Sequence, residues 1–453
     1  MNGNVIVALL CLGSITGCLS IEPVEPPEPE SRTLPSASKD SSLPTNGNSV
    51  QSEKIQEPNG PLSLDRAQDL ALANNPRLKA QSWDIRWAQA GETQAQLLPN
   101  PELAIEVEGI GGQGPRSGFD GAETTVTLAQ PIQLGGKRQV RTQLASYNKE
   151  LADWDLEQAR LQVRAQTAAA FAEVMAAQDR EALTKQQMEL SKDLLGTVRK
   201  RVQAGKDSPV EQSKAQITLS SSRIDLAQAK QALTVARIRL AALWAGKPTF
   251  TAVTQTTGRI VKPPERESLE GSIESHPFVA RWTDEIAKAQ AEKELARTEG
   301  VPDVAVLAGL KRYEEDNNNT AVLGLAIPLP VFNRNQGTRE QATYRLAKTQ
   351  QLQQQALIEI SAALSESHSD LLSAYEQITG LRDQILPAAE TAFQGALTGY
   401  TQGKFEYLNV LDAQRTLFEV KKQYFEAQLD YHKARADLEQ LISRPLDSAN
   451  ANK

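Results

Sequence analysis

The chain has 453 residues, with hydrophobic residues at 40%, charged residues at 23% and only two cysteines, so neither a polytopic helical membrane protein nor a disulfide scaffold fits. A net charge of −7 gives no global reason to bind nucleic acid, and three His with two Cys leave little for a soft-metal site. Aromatics number 22 (Trp 5, Tyr 8, Phe 9), few for bulky globular cores, and this points to long, thin helical packing.

In chain order, Val5 to Leu12 is an apolar run of signal-peptide length, too short to span a bilayer. It leads into Ile15-Thr16-Gly17-Cys18, which resembles a bacterial lipobox and implies cleavage before Cys18 and lipid on its sulfur. Met1 to Asn4 carry no Lys or Arg, so an ordinary secretory signal stays open as the alternative. Leu19 stands where an inner-membrane retention Asp would, which by analogy favours the outer membrane. Ser20 to Pro61 holds eight Pro and eight Ser in 42 residues and cannot bury enough apolar surface to order itself. It reads as a flexible tether.

The rest is duplicated with an offset near 198. Gly205-Lys206 recurs as Gly403-Lys404, Val210 as Leu408, and Ala215-Gln216 as Ala413-Gln414. Asn75-Pro76 echoes His276-Pro277, and Ala129 to Leu134 echoes Ala326 to Val331. Each copy begins with a helix, expected at about 64–97 and 276–299. A strand follows: Glu102 to Glu108 alternates strictly, with Leu103, Ile105 and Val107 on one face and Glu102, Glu106 and Glu108 on the other. Its counterpart is expected at 304–308. Loops at 109–121 and 311–319 lead to second strands at 124–134 and 321–331. Strands near ten residues suit a tilted membrane crossing. Four strands cannot close a barrel, but three chains of four give twelve, with apolar residues on lipid and carboxylates on a wet lumen. A soluble hairpin packed on helices would show the same alternation.

Long helices follow, Lys137 to about Gln203 and Gln336 to about Thr401, the latter interrupted only by Pro387. One seam is read through Leu357, Ile360, Leu364, Leu371, Ala374, Ile378, Leu381, Ile385, Ala388 and Ala392. The other runs through Leu144, Tyr147, Leu151, Trp154, Leu161, Ala165, Ala168, Ala172 and Met175. About 65 residues at 1.5 Å each span on the order of 100 Å. The rods stop at Gly205 and Gly403, and return helices are expected at 208–244 and 406–442. The fold class is thus mainly α with a small β part. Its segments are 1–17 signal, 18–61 tether, 62–244 first repeat, 245–275 linker, 276–444 second repeat and 445–453 tail.

This order of parts resembles the TolC-like outer-membrane efflux proteins. Leu98-Pro99-Asn100-Pro101-Glu102-Leu103 and Gln130-Pro131-Ile132-Gln133-Leu134-Gly135-Gly136-Lys137-Arg138 resemble the subgroup serving heavy-metal pumps of the cobalt–zinc–cadmium type. The resemblance implies a homotrimer whose twelve-stranded barrel sits in outer-membrane lipid above a periplasmic α-helical tunnel. It also implies an inner-membrane resistance–nodulation–division pump and a periplasmic adaptor as partners, with passive conduction as the activity. It places a gate after the second helical turn, at Asn409 and Asp412, where family members often carry two acids; here only Asp412 is acidic. It places adaptor-docking tips at Arg201, Gly205, Lys206, Gly403 and Lys404. Read from the residues alone, Asp412 is an early-helix charge that offsets the dipole, the glycines are helix stops, and the strand glutamates are a wet face. The same architecture serves drug efflux and type I secretion, and a lipid-anchored coiled coil without a pore would need no hairpins. No nucleophile–base pair, phosphate loop or ligand-spaced His cluster suggests an enzyme, a cofactor or a metal site. Gly109 to Gly114 lies between two strands rather than before a helix.

Overall fold

The computed structural model describes residues 59–114, 117–254 and 260–446. Cys18, the signal-like segment and nearly all of the tether lie outside them. In chain order the elements are β1 (Pro61–Leu62), α1 (Leu64–Asn74), α2 (Pro76–Ala95), β2 (Glu102–Glu108), β3 (Glu123–Ile132), α3 (Lys137–Gln203), α4 (Pro209–Ala242), β4 (Ala252–Val253), α5 (Glu267–Glu270), α6 (Pro277–Thr298), β5 (Val304–Tyr313), β6 (Asn318–Ala326), α7 (Gln336–Gly380), α8 (Leu386–Thr401) and α9 (Tyr407–Ile442). The fold is mainly α, as expected from the sequence, with one antiparallel sheet ordered β2-β3-β5-β6 and a short parallel pair β1-β4.

Several boundaries differ from the expected ones. The first helix is two, because Asn75 caps α2 and Pro76 opens it. Strand β5 runs on to Tyr313, so the expected 311–319 loop shrinks to the turn between Tyr313 and Asn318. Strand β6 ends at Ala326 rather than Val331, since Pro328 and Pro330 have no N–H for a ladder.

The largest departure is at Pro387. Its missing N–H and its ring are incompatible with an uninterrupted α ladder. The chain answers with a π turn over Leu381–Ile385, in which the Leu386 N–H bonds to the Leu381 carbonyl five residues back. One extra residue is absorbed, and the buried row moves by one. Ile360, Leu364, Leu371, Ala374, Ile378 and Leu381 are buried as expected; beyond the turn, Ala389 and Phe393 are buried in place of Ala388 and Ala392, and Ile385 is exposed. Leu357 is exposed as well. In α3 the expected row is buried at Leu151, Ala165, Ala172 and Met175, while Leu144, Tyr147, Trp154, Leu161 and Ala168 are half-buried. Leu156, Ala159, Val163 and Phe171 form further buried positions, because α3 packs against α2, α4, α6 and α9 at once.

Three apolar clusters hold these rods. Leu78 and Ile85 of α2 meet Leu156 and Val163 of α3. A middle belt joins Leu62, Phe171, Leu240, Trp244 and Phe250. The lower cluster gathers Leu195, Val198, Leu219, Leu371, Ile378, Tyr400, Tyr407 and Val410 from α3, α4, α7, α8 and α9.

The two repeats use matching N-caps with different chemistry. Asn75 Oδ1 accepts from the Arg77 N–H at 2.9 Å, and His276 Nδ1 accepts from the Phe278 N–H at 3.1 Å. A ring that accepts at Nδ1 must be neutral. Burial pushes the His276 pKa down to about 4. Its unfolded value is near 6.5, so the unfolded chain binds more protons between those two values and stability falls as pH drops through that window. The loss is about 3 kcal/mol at 1.36 kcal/mol per pH unit. His276→Asn imports the first repeat's cap without the titration. We expect its melting temperature to change less than wild type's between pH 6.5 and 4; equal pH dependence would remove His276 from the account.

Candidate functional site

Two places stand out, the sheet and the pair of helical turns.

In an antiparallel sheet, directly paired residues share a face. The register pairs Leu103 with Leu128, Ile105 with Val126, Val126 with Leu310, Leu128 with Ala308, Ala308 with Leu323 and Val306 with Leu325. One face is therefore apolar along the middle of all four strands, with Thr124, Arg312 and Asn319 toward one end and Gln130 toward the other, and it is open: Leu323 is 83% exposed, Leu103 67% and Leu310 65%. The other face carries Glu102, Glu106 and Glu108 together with Thr125, Thr127, Gly309, Lys311 and Val322. Glu102, Glu106 and Glu108 are exposed, and Glu108 and Glu123 both pair with Lys311. Gly309 has no tolerance for a side chain, because a Cβ there would overlap the Val126 carbonyl and Thr127. Among the described residues, the outward edges of β2 and β6 have no partner strand.

The turns lie at the far end of the long rods. In both, the helix closes with the same pair of bonds: Lys206 N to the Arg201 carbonyl and Gly205 N to the Val202 carbonyl, then Lys404 N to the Gly399 carbonyl and Gly403 N to the Tyr400 carbonyl, all at 2.8–3.0 Å. This is the Schellman stop, and it requires the left-handed φ of +71° at Gly205 and +78° at Gly403. Gly205, Lys206, Gly403 and Lys404 are exposed. Asn409 and Asp412 lie one helical turn apart on an exposed face of α9.

Arg201 is different. Its guanidinium binds Asp207 through two bonds of 2.8 and 3.0 Å, donates to the Tyr400 carbonyl at 3.0 Å and lies 4.5 Å from the centre of the Tyr400 ring. The Tyr400 hydroxyl donates to Asp207 at 2.6 Å. Tyr400 is fully buried, and the Asp207 side chain is 7% exposed. Arg201 thus ties the first repeat's turn to the second repeat's helix instead of presenting a free charge. The bond to Arg201 holds the Asp207 carboxyl below its usual range, despite burial, and the Tyr400 hydroxyl lowers it further. Burial and the bond to Asp207 push the Tyr400 hydroxyl up. Burial, with Asp207 adding to it, raises Glu211.

Asp207 and Tyr400 were not among the candidates from sequence. The repeat offset contained the signal: positions 201 and 207 correspond to Gly399 and Phe405. There the ion pair is replaced by a ring lying on a bare Cα, so close that a Cβ on Gly399 would overlap Phe405. Also missed was an exposed aromatic pair on α2, Trp83 and Trp87.

Among the described residues no group of His, Cys, Asp or Glu could hold a metal ion, and no helix is long and apolar enough to cross a membrane.

The profile of a family described as Outer membrane efflux protein matches residues 67–246 and 271–444, one stretch for each repeat. The cobalt-zinc-cadmium resistance protein CzcC of Cupriavidus metallidurans is 34% identical over 390 residues, which cover 86% of this chain and 92% of that protein. The nickel-cobalt-cadmium resistance protein NccC of Alcaligenes xylosoxydans xylosoxydans is 28% identical over 67% of this chain and 68% of that protein. In fold, the chain is similar to a membrane protein from Pseudomonas aeruginosa (TM-score 0.74, 18% identity, 84% of this chain and 90% of that one). It is likewise similar to the channel CusC (TM-score 0.70, 17% identity, 84% and 91%). The chain belongs to the outer membrane efflux protein family.

Proposed function

We propose that three copies of this chain close a twelve-stranded barrel in the outer membrane and continue below it as a helical tunnel, forming the exit duct of a metal-efflux assembly. The observation that carries this is the open four-stranded sheet, with one face apolar along its middle and polar at Thr124, Arg312 and Asn319 near the strand ends, and the other carrying Glu102, Glu106 and Glu108. In hydrocarbon, an unpaired strand edge leaves N–H and C=O groups unsatisfied at several kcal/mol each, so β2 and β6 need partners there. Four strands are too few to close, and three copies supply twelve. Leu103, Leu310 and Leu323 then face lipid, while Glu102, Glu106 and Glu108 line a wet lumen and favour cations.

The exposed turn residues Gly205, Lys206, Gly403 and Lys404 are the surface offered to a periplasmic adaptor, which links the duct to an inner-membrane pump. The internal bonds of Arg201 leave it a smaller part in that contact. Asp412 and Asn409 follow the second turn and form the gate rings, one charged and one neutral per copy. Cys18 anchors the chain by lipid, and segments 62–244 and 276–444 act as the two repeats. The duct performs no chemistry; the pump supplies energy and selects cargo.

The resistance proteins similar to this chain favour divalent metal cations over drugs or secreted proteins as cargo. Deleting the gene should sensitise its host to cobalt, zinc or cadmium and leave drug tolerance unchanged. Restored tolerance on re-expression would confirm it, and sensitivity to drugs alone would favour the drug-efflux reading.

A further inference from the structure

The register arranges the polar face of the sheet in rows. Glu102 lies in the row nearest the helices, beside Ala129. Glu106 shares a row with Thr125 and Lys311. The last row, at the hairpin-loop end, holds Glu108, Glu123 and Tyr313. Glu108 and Glu123 are thus direct cross-strand partners, and like charges so placed repel.

Among the described residues, Lys311 is the one cation that the four strands place on this face. It does not stay in its own row. Its ammonium reaches diagonally into the last one, pairs with Glu123, comes within 3.3 Å of a Glu108 oxygen and lies 5.4 Å from the centre of the Tyr313 ring. A long side chain spans such a diagonal. The Lys311 side chain is only 21% exposed, so the amine is held in place rather than extended into water. Two carboxylates facing each other on neighbouring strands are an oxygen-ligand pair for a divalent cation. Here a tethered ammonium occupies that place. Glu102 and Glu106 are exposed and stand outside this cluster.

We infer that Lys311 is a built-in counter-cation at the exit, a residue that sets selectivity by keeping cargo cations from lodging between Glu108 and Glu123. The inference rests on the duct proposed above, in which the hairpin-loop end opens to the outside. A conducting pore must attract its ion strongly enough to admit it and weakly enough to release it. Glu102 and Glu106 supply the attraction along the barrel. Without Lys311, each copy would add a free carboxylate pair at the mouth, and the strongest trap would stand at the point of release. Lys311 fills that trap with a charge that cannot leave.

Zinc chloride is the probe, on the full-length protein in detergent and in planar bilayers. The Glu108–Glu123 pair lies within one copy, so calorimetric zinc uptake reads it even in a variant whose assembly or current is lost. Lys311→Met should take up zinc that wild type and Lys311→Arg do not, and Lys311→Met/Glu123→Gln should lose that uptake again. In bilayers, zinc added on the loop side should halve the Lys311→Met current at a concentration about tenfold lower than for wild type, because a unit positive charge a few Å from the pair is gone. The reversal potential in a KCl gradient should move toward stronger cation preference. A lysine that only relieves strand repulsion would change the yield of assembled protein and none of these readings. Lys311→Met that neither gains uptake nor becomes more sensitive to zinc overturns the assignment. Uptake that survives Glu123→Gln places the zinc elsewhere and overturns it too. A wild-type protein that never conducts fails the duct reading instead, and the uptake result still decides whether Lys311 guards the pair.

Discussion

Arg201→Ala should raise the ratio of open to closed channels by about 30-fold. The substitution removes two charge-assisted bonds to Asp207, one to the Tyr400 carbonyl and a cation–π contact. It leaves the Asp207 carboxylate buried beside Tyr400 with only the phenol as partner. Stranding a buried charge costs more than the pair itself contributes, here about 2 kcal/mol at a turn that water can reach. That energy is confined to the junction between the α3–α4 turn and the end of α8, so the tip loosens while the rods stay folded. About 2 kcal/mol is a factor near 30 in an equilibrium. Single-channel dwell times measure the ratio, and hydrogen exchange over residues 199–212 should quicken with it. Gating equal to wild type would show that the clamp is structural only. Ordinary acidification should not mimic the substitution, because the Asp207 carboxyl is held below its usual range and stays charged until pH falls through that lowered value.

Leu323→Arg should abolish assembly in the membrane, while Val322→Arg should leave it intact. The residues are neighbours in β6 but point to opposite faces, since Leu323 pairs with Ala308 and Val322 with Gly309. A cation on the lipid face near the bilayer centre costs about 2–4 kcal/mol per copy, and a closed ring incurs it three times. On the lumen face the arginine is hydrated and changes selectivity only, with Glu102, Glu106 and Glu108 partly neutralised. The readout is the amount of heat-resistant oligomer in outer-membrane fractions. Equal tolerance of both variants would mean the sheet has no lipid side.

Which parts were legible in the sequence follows from the range of the interactions. Strand β2 falls at Glu102–Glu108 and helix α3 at Lys137–Gln203, because alternation, glycine stops and the Gly135-Gly136 start are local signals. The duplicated turns were visible for the same reason, as Gly205 and Gly403 must be left-handed. The row beyond Leu381 was misplaced by one residue, because a constant period cannot foresee the π turn that Pro387 requires. Arg201 was read as an adaptor-docking residue, and its bonds to Asp207 and Tyr400 were not foreseen, since Tyr400 lies 199 residues away and meets it only in the folded chain.

Recording from purified full-length protein in planar bilayers tests the duct most directly. The account predicts a small, mostly closed conductance that prefers cations and opens more often with Arg201→Ala. A protein that inserts as a trimer yet never conducts, in either form, would contradict it.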